Sequence, residues 1–219
     1  EELGAQFGTS ASYSLASADL TALKPVFPQA LGVLAQTLIE PSFPESEFAR
    51  VKAEQIAAYE QRNARAEALA SDAFFRAAFQ EAAPFSRPPQ GTRESLTPLT
   101  RDDVVRWHHT MYAPSATTLL IVGDLTLDEA RRMVQDAFGG WKKSRAELPA
   151  PVNPVRTASG TRVVLIDRPG SVQSGLVVGR AGLMATDPEY LPMVAANHVL
   201  GGAVSSRLNN NLREKHGWT

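Results

Sequence analysis

The residues with the most chemical potential in this chain are its four histidines, His108, His109, His198 and His216. A helix that holds a catalytic metal presents two His on one face, three or four positions apart, with a Glu beside them. His108 and His109 are adjacent, so on a helix their side chains diverge by about 100° and cannot share one ion. His198 and His216 stand alone. The absence of cysteine removes thiolate zinc sites, disulfides and thiol nucleophiles together. No Gly-x-Ser-x-Gly elbow supplies a serine nucleophile, and no Ser-x-x-Lys falls in a setting that would activate one. The pairs Asp102-Asp103 and Asp128-Glu129 sit at expected helix starts, where the backbone dipole accounts for them. On this reading the chain carries neither a metal ligand set nor a catalytic centre of its own.

The most distinctive wording lies at 197–219, NHVLGGAVSSRLNNNLREKHGWT. A helix ends at Gly201-Gly202, the chain restarts at Ser205-Ser206, and a second helix runs to Leu212-Arg213-Glu214-Lys215. Gly217 suits the position just past a helix end, because glycine enters the left-handed region without steric cost. Arg213 in the last turn complements the carbonyl end of the helix. Leu208 and Leu212 are four apart, so both are expected to pack inward while Arg213 points about 100° away. The two glycines ahead of a helix start also suit an anion, although the nucleotide-binding strand and full glycine fingerprint are missing.

The elements that must position these residues are strands and helices, partly segregated along the chain. Residues 4–23 read as two strands joined near Ser10–Ser14. Phe27, Leu31, Leu34 and Leu38 then recur at helical spacing from a start at Pro25, and Pro41 ends that helix. Another starts at Pro44, with Phe48, Val51, Gln55 and Tyr59 on one face. A break near Asn63 separates it from an Ala-rich helix that places Leu69, Phe75 and Phe79 in the core. Thr100 with Asp103, and Thr126 with Glu129, have capping-box spacing and open two further helices, the second stopping at Gly139-Gly140. Thr117–Val122, Arg162–Ile166 and Ser174–Ala181 read as strands. Asp187 as N-cap and Pro188 at the first helical position start a helix through Tyr190, Val194 and His198.

This order predicts an α+β fold with a mainly antiparallel sheet packed against several helices. The Pro-containing, aperiodic stretch 142–160 reads as a linker. It divides a first αβ module, 1–141, from the start of a second, 161–219. With 219 residues, 43% hydrophobic and 21% charged, the chain has the composition of a globular protein. Its 22 basic and 23 acidic residues leave a net charge of −1 with no block of one sign. That balance advertises neither nucleic acid nor an anionic membrane as partner. No apolar run reaches the length of a membrane span. The first residues show no signal-peptide pattern, and both termini read as cut from a longer polypeptide.

Five stretches in consecutive order resemble the pitrilysin/insulinase family of zinc peptidases and their non-catalytic partner subunits. They are LGAQFGTSAS at 3–12, LIEPSFPESEFARVKAEQ at 38–55, QGTRESLTPLTRDDVVRWHHTMYAP at 90–114, TTLLIVGDLTLDEA at 117–130, and the terminal stretch with LGG, SSRL and LRE. In active members an inverted HxxEH zinc motif lies upstream of the region that 3–12 resembles; it is absent here. The resemblance places a third zinc ligand, normally Glu, at Ala58, and its acidic neighbour at Val51. Glu54 and Glu60 reach those positions only if the helix register shifts. Phe7-Gly8 replaces an Asn-Ala pair.

Arg213, by contrast, matches an arginine that in this family holds the substrate backbone and the developing oxyanion. Its Tyr partner falls one position past Thr219. The resemblance therefore implies a non-catalytic domain, without cofactor of its own, facing a zinc-bearing catalytic half or subunit and an extended peptide substrate. The alternatives are a purely structural or processing-partner subunit of the same fold, and an active peptidase whose zinc segment lies upstream. Abundant Ala, Pro and Arg suggest a bacterial source, and family members of this type are often periplasmic.

Overall fold

The computed structural model describes residues 3–142, 146 and 160–218. The expected linker 142–160 thus lies outside the described residues, apart from Lys142, Ala146 and Gly160. The chain folds as two compact units, Glu1–Val178 and Gly179–Thr219.

The first unit opens on an antiparallel pair, β1 (Gln6–Ala11) and β2 (Ala16–Thr21), in register from Gln6 opposite Thr21 to Ala11 opposite Ala16. Ser12 closes the turn, its backbone N–H donating to Leu15 O at 2.8 Å, and the Ser10 and Ser17 hydroxyls bond across the pair at 2.8 Å. Helix α1 (Phe27–Ile39) follows, starting two residues later than Pro25 would have it. Ala30, Leu31, Leu34 and Ala35 are its buried residues, one face at helical spacing, and they form most of the small apolar core. This face packs against β2 and against α6 (Leu127–Phe138).

Helices α2 (Glu45–Asn63) and α3 (Ala66–Ala78) are separated at the expected break. The corner is clasped by a bidentate ion pair, Arg62 donating to the two Asp72 carboxylate oxygens at 2.5 and 2.6 Å. Phe75 and Phe79 stack at 5.8 Å, and Phe79 meets Phe85 at 5.5 Å, which closes the loop after α3 back onto that helix. The extended stretch after Ser171 crosses the same corner at Gly175. A Cβ at Gly175 would lie 2.6 Å from the backbone carbon and oxygen of Ala66, so only glycine permits the approach.

The short α4 (Arg93–Leu96), α5 (Arg101–Met111) and α6 each begin with a closed capping box, on Thr92, Thr100 and Thr126. In the last two, the hydroxyl accepts from the backbone of Asp103 or Glu129 while that carboxylate accepts from the threonine N–H, at 2.9 and 2.7 Å. These bonds, led by the Thr100 hydroxyl for Asp103 and the Thr126 backbone for Glu129, hold both carboxyls below their ordinary range.

The second unit contains α7 (Tyr190–Asn197), a π turn at His198–Gly202, the one-turn α8 (Arg207–Asn209), and a π segment at Asn210–Lys215. Asp187 does not cap α7. Its carboxylate accepts from the backbone of Glu189 at 2.9 Å, which forms an Asx turn and delays the helix to Tyr190.

Among the described residues the α+β composition is thus realised as many helices with one two-stranded antiparallel sheet. Thr117–Val122, Arg162–Ile166 and Ser174–Ala181 are not paired as strands among the described residues. Their composition favours strand, but a strand exists only when a second backbone meets its N–H and C=O groups.

Candidate functional site

Two groups of residues had a claim to chemistry, the histidines with their neighbouring carboxylates and the terminal arginine. They prove to be built in opposite ways.

His108 is 7% exposed on the inner face of α5. Its Nε2 is 2.8 Å from Leu38 O at the end of α1, so that nitrogen carries the hydrogen and donates it. The ring stacks on Tyr112 at 4.6 Å and receives the edge of Phe43 at 5.5 Å. His109 is exposed whereas His108 is buried, as the 100° step between adjacent helix positions leads one to expect, and the two rings meet edge-on at 5.8 Å. His108 is therefore a packing histidine that satisfies a helix-end carbonyl.

Arg101 works in the same region. It donates from Nε to Phe43 O at 2.7 Å and from a terminal nitrogen to Ser42 O at 3.3 Å. Phe43 sits at φ +43, in the left-handed region, where a bulky side chain is strained. Arg101 and His108 together hold that residue in place. An open groove of ≈ 390 Å³ lies nearby, lined by Glu45, Phe48, Lys52, Thr100, Arg101 and Asp102 among others. Its Lys52 already donates to Thr97 O and Leu99 O, at 2.7 and 2.9 Å. The cations here serve backbone carbonyls of the chain itself.

The zinc position fares likewise. Ala58 lies exposed on α2 and offers no donor atom. Of the two carboxylates near it, Glu54 is held by Arg50 at 2.7 Å and Glu60 by Arg93. Among the described residues no three His, Asp or Glu side chains converge as a metal site would require. These residues do not fit a zinc ion.

The terminal stretch is organised by serine and asparagine. Ser206, buried at 2% exposure, caps α8 by accepting from Asn209 N at 3.3 Å. Asn209 and Asn210 reach back from their amides to Ala203 O and Ser205 O, at 2.9 and 3.1 Å. This fixes the entry of the helix from the flanking loop. At the other end Gly217 adopts φ +65, and the N–H groups of Gly217 and Trp218 close onto Arg213 O and Leu212 O, each at 2.9 Å. Gly217 thus takes the position expected for it.

Between these ends the helix is wound as π rather than α. The wider turn breaks the assumed four-residue facing of the leucines, and Leu208 is half exposed rather than packed inward. Arg213 is exposed, as expected. Its one ionic partner among the described residues is the adjacent Glu214, at 3.9 Å with both side chains solvated. Such a contact has the weak, screened character of a surface pair and leaves most of the guanidinium fork unused.

Comparison with known proteins bears on what this arrangement serves. The family model of the peptidase M16 inactive domain matches residues 98–219, more than half of the chain. An uncharacterized zinc protease of Streptomyces coelicolor is 34% identical over 135 residues, or 60% of this chain and 29% of that protein. The structure of a peptidase M16 inactive domain from Pseudomonas fluorescens aligns with 99% of this chain and 52% of its own, with a TM-score of 0.75 and 23% identity. Pitrilysin aligns with 71% of this chain and 17% of its own, with a TM-score of 0.60 and 20% identity. The two structural likenesses establish the fold, and this chain spans about half the length of the first. With the family model matching the very stretch that holds Arg213, and the same fold recovered almost end to end, the chain belongs to the peptidase M16 inactive domain family.

Proposed function

We propose that this chain is the non-catalytic part of a zinc-dependent peptidase, and that it presents Arg213 to a peptide held at the zinc of a catalytic half or subunit. The observation that carries this reading is the state of Arg213: an exposed guanidinium, held at a helix end closed by Gly217, with Glu214 its one ionic partner among the described residues. Family membership and a relative described as a zinc protease support the reaction class.

In this reading the zinc belongs to the partner, where it supplies an activated water and polarises the scissile carbonyl. This chain's part is positional and electrostatic. It closes one side of the chamber, contacts the extended peptide, and aims the fork of Arg213 at the oxygen on which charge develops. A preorganised donor of that kind acts most strongly where water is excluded.

The test is Arg213→Ala in the enzyme assembled with its zinc-bearing partner. Peptide turnover falls by about a hundredfold or more, corresponding to about 2.7–4 kcal/mol of barrier, while the melting temperature holds. A second reading, a structural subunit of the same fold, draws on the ionic contact of Arg213 with its own neighbour Glu214. Unchanged turnover with a lowered melting temperature would decide for that reading.

A further inference from the structure

The helix that carries Arg213 is tied to the loop before it more firmly than a cap requires. Ser206 already supplies the cap, its hydroxyl accepting from Asn209 N at 3.3 Å. Beyond that, Nδ2 of Asn209 donates to Ala203 O at 2.9 Å, and Nδ2 of Asn210 donates to Ser205 O at 3.1 Å. Asparagine is among the poorer helix formers, so two in succession inside a helical stretch are not explained by propensity. What they supply is two bonds from consecutive helix positions back to one short length of loop.

The same stretch is fixed on either side of these bonds. Leu208 lies over Gly201 of the preceding π turn, where an added Cβ would meet its Cδ1 at 3.1 Å. The Ser206 N–H also donates to Ala203 O, at 3.0 Å. At the far end the Arg213 carbonyl accepts from the Gly217 N–H at 2.9 Å, and His216 stacks on Trp218 at 4.4 Å. The winding changes from α to π at Asn210, three residues before the arginine, and π turns occur most often at functional sites. The backbone beneath Arg213 is thus held from both ends, while its guanidinium has only the solvated Glu214 as ionic partner among the described residues.

We infer that Asn209 and Asn210 are positioning residues for Arg213. Their amides fix how the helix leaves the loop, and with it the direction in which the guanidinium is presented. The inference rests on the role proposed above for Arg213 and adds how that arginine is aimed. A residue that acts only through Arg213 costs no more than the removal of Arg213 itself, and costs nothing further once Arg213 is gone.

A double-mutant cycle tests this in the enzyme assembled with its zinc-bearing partner, read as kcat and KM on a peptide substrate. Asn209→Ala lowers kcat about tenfold in the parent, as misplacement of a positioned group does, and lowers it no further in the Arg213→Ala background. Asn209→Asp keeps the shape but sets an acceptor against Ala203 O, and is impaired at least as much as the alanine variant. Asn210→Ala lies at an exposed position where alanine is the better helix former, so its melting temperature holds even if the Asn209 variants fold poorly. It shows the same dependence on Arg213, with a loss of about threefold. Equal losses with and without Arg213 would mark the asparagines as structural and overturn the inference, as would full activity of Asn209→Asp or of Asn210→Ala. Those results leave the role of Arg213 standing. If Arg213→Ala alone changes nothing, that role fails and this inference fails with it.

Discussion

Arg101 and Arg213 are the same residue type near opposite ends of helices, yet they have opposite fates. Arg101, in the first turn of α5, is turned back onto the carbonyls of Phe43 and Ser42 and holds a strained residue in place. Arg213, in the last turn before Gly217, has among the described residues only an adjacent carboxylate to answer and stays solvated. Charge and helix propensity are equal in the two cases. The difference is whether another stretch of backbone presents a carbonyl within reach. An arginine consumed by its own fold reports on stability, whereas one left unused is available to a partner.

The largest expected effect sharpens this contrast into a double dissociation. Arg213→Ala removes about a hundredfold of turnover in the assembled enzyme with little change in stability. Arg213→Lys restores only part of that loss, because an ammonium lacks the planar fork. Steady-state kinetics on the three proteins give the ranking, and equal activity of the Lys and Ala variants would remove the argument from fork geometry.

Arg101→Ala should do the reverse. It leaves two carbonyls with no arginine donor and Phe43 without its restraint, a loss of about 2–3 kcal/mol by chemical denaturation. Specific activity of the folded fraction should be unchanged. If Arg101→Ala instead abolished turnover at full stability, the two arginines would not differ as described.

A third expectation concerns how the first unit holds its extended stretch on the helix corner. Gly175→Ala places a methyl against the Ala66 backbone and costs about 1–3 kcal/mol, as overpacking does. Gly182→Ala, whose added carbon would touch only the flexible end of Met193 at 3.4 Å, is the control and should be near neutral. Equal melting temperatures for the two variants would show that the crossing at Ala66 is not maintained in solution.

The smallest effect is at the capping boxes. Thr126→Ala costs about 1 kcal/mol. Because the native Glu129 and Asp103 carboxyls lie below their ordinary values, their contribution is complete above the unfolded values of about 4. It is lost as pH falls through the lower native values. Denaturation midpoints measured from pH 6 down to pH 2 should fall less steeply for Thr126→Ala than for the parent chain. Parallel curves would mean that the Thr126 hydroxyl adds nothing to the carboxyl's acidity beyond the backbone N–H, which the variant keeps.

Much of this was legible in the residues because it is local. The capping spacings Thr100–Asp103 and Thr126–Glu129, the break near Asn63, the stop at Gly139-Gly140 and the left-handed Gly217 each depend on neighbours within about one helical turn. The divergence of His108 and His109 is likewise a property of any helix. The Arg213 candidate itself came from resemblance to a family rather than from spacing. Its free guanidinium could be recognised only once its surroundings were known.

What the sequence by itself determined, then, were the capped helix starts at Thr100 and Thr126, the stop at Gly139-Gly140, and the left-handed turn at Gly217. Each follows from propensities and bonds that close within a few residues. Tertiary structure alone decided the fate of Thr117–Val122, Arg162–Ile166 and Ser174–Ala181, the burial of His108 against Leu38 O, and the consumption of Arg101 by Phe43 and Ser42. Those outcomes depend on partners tens of residues away, or on whether a second backbone lies alongside. A strand's hydrogen bonds, unlike a helix's, are never contained in its own segment.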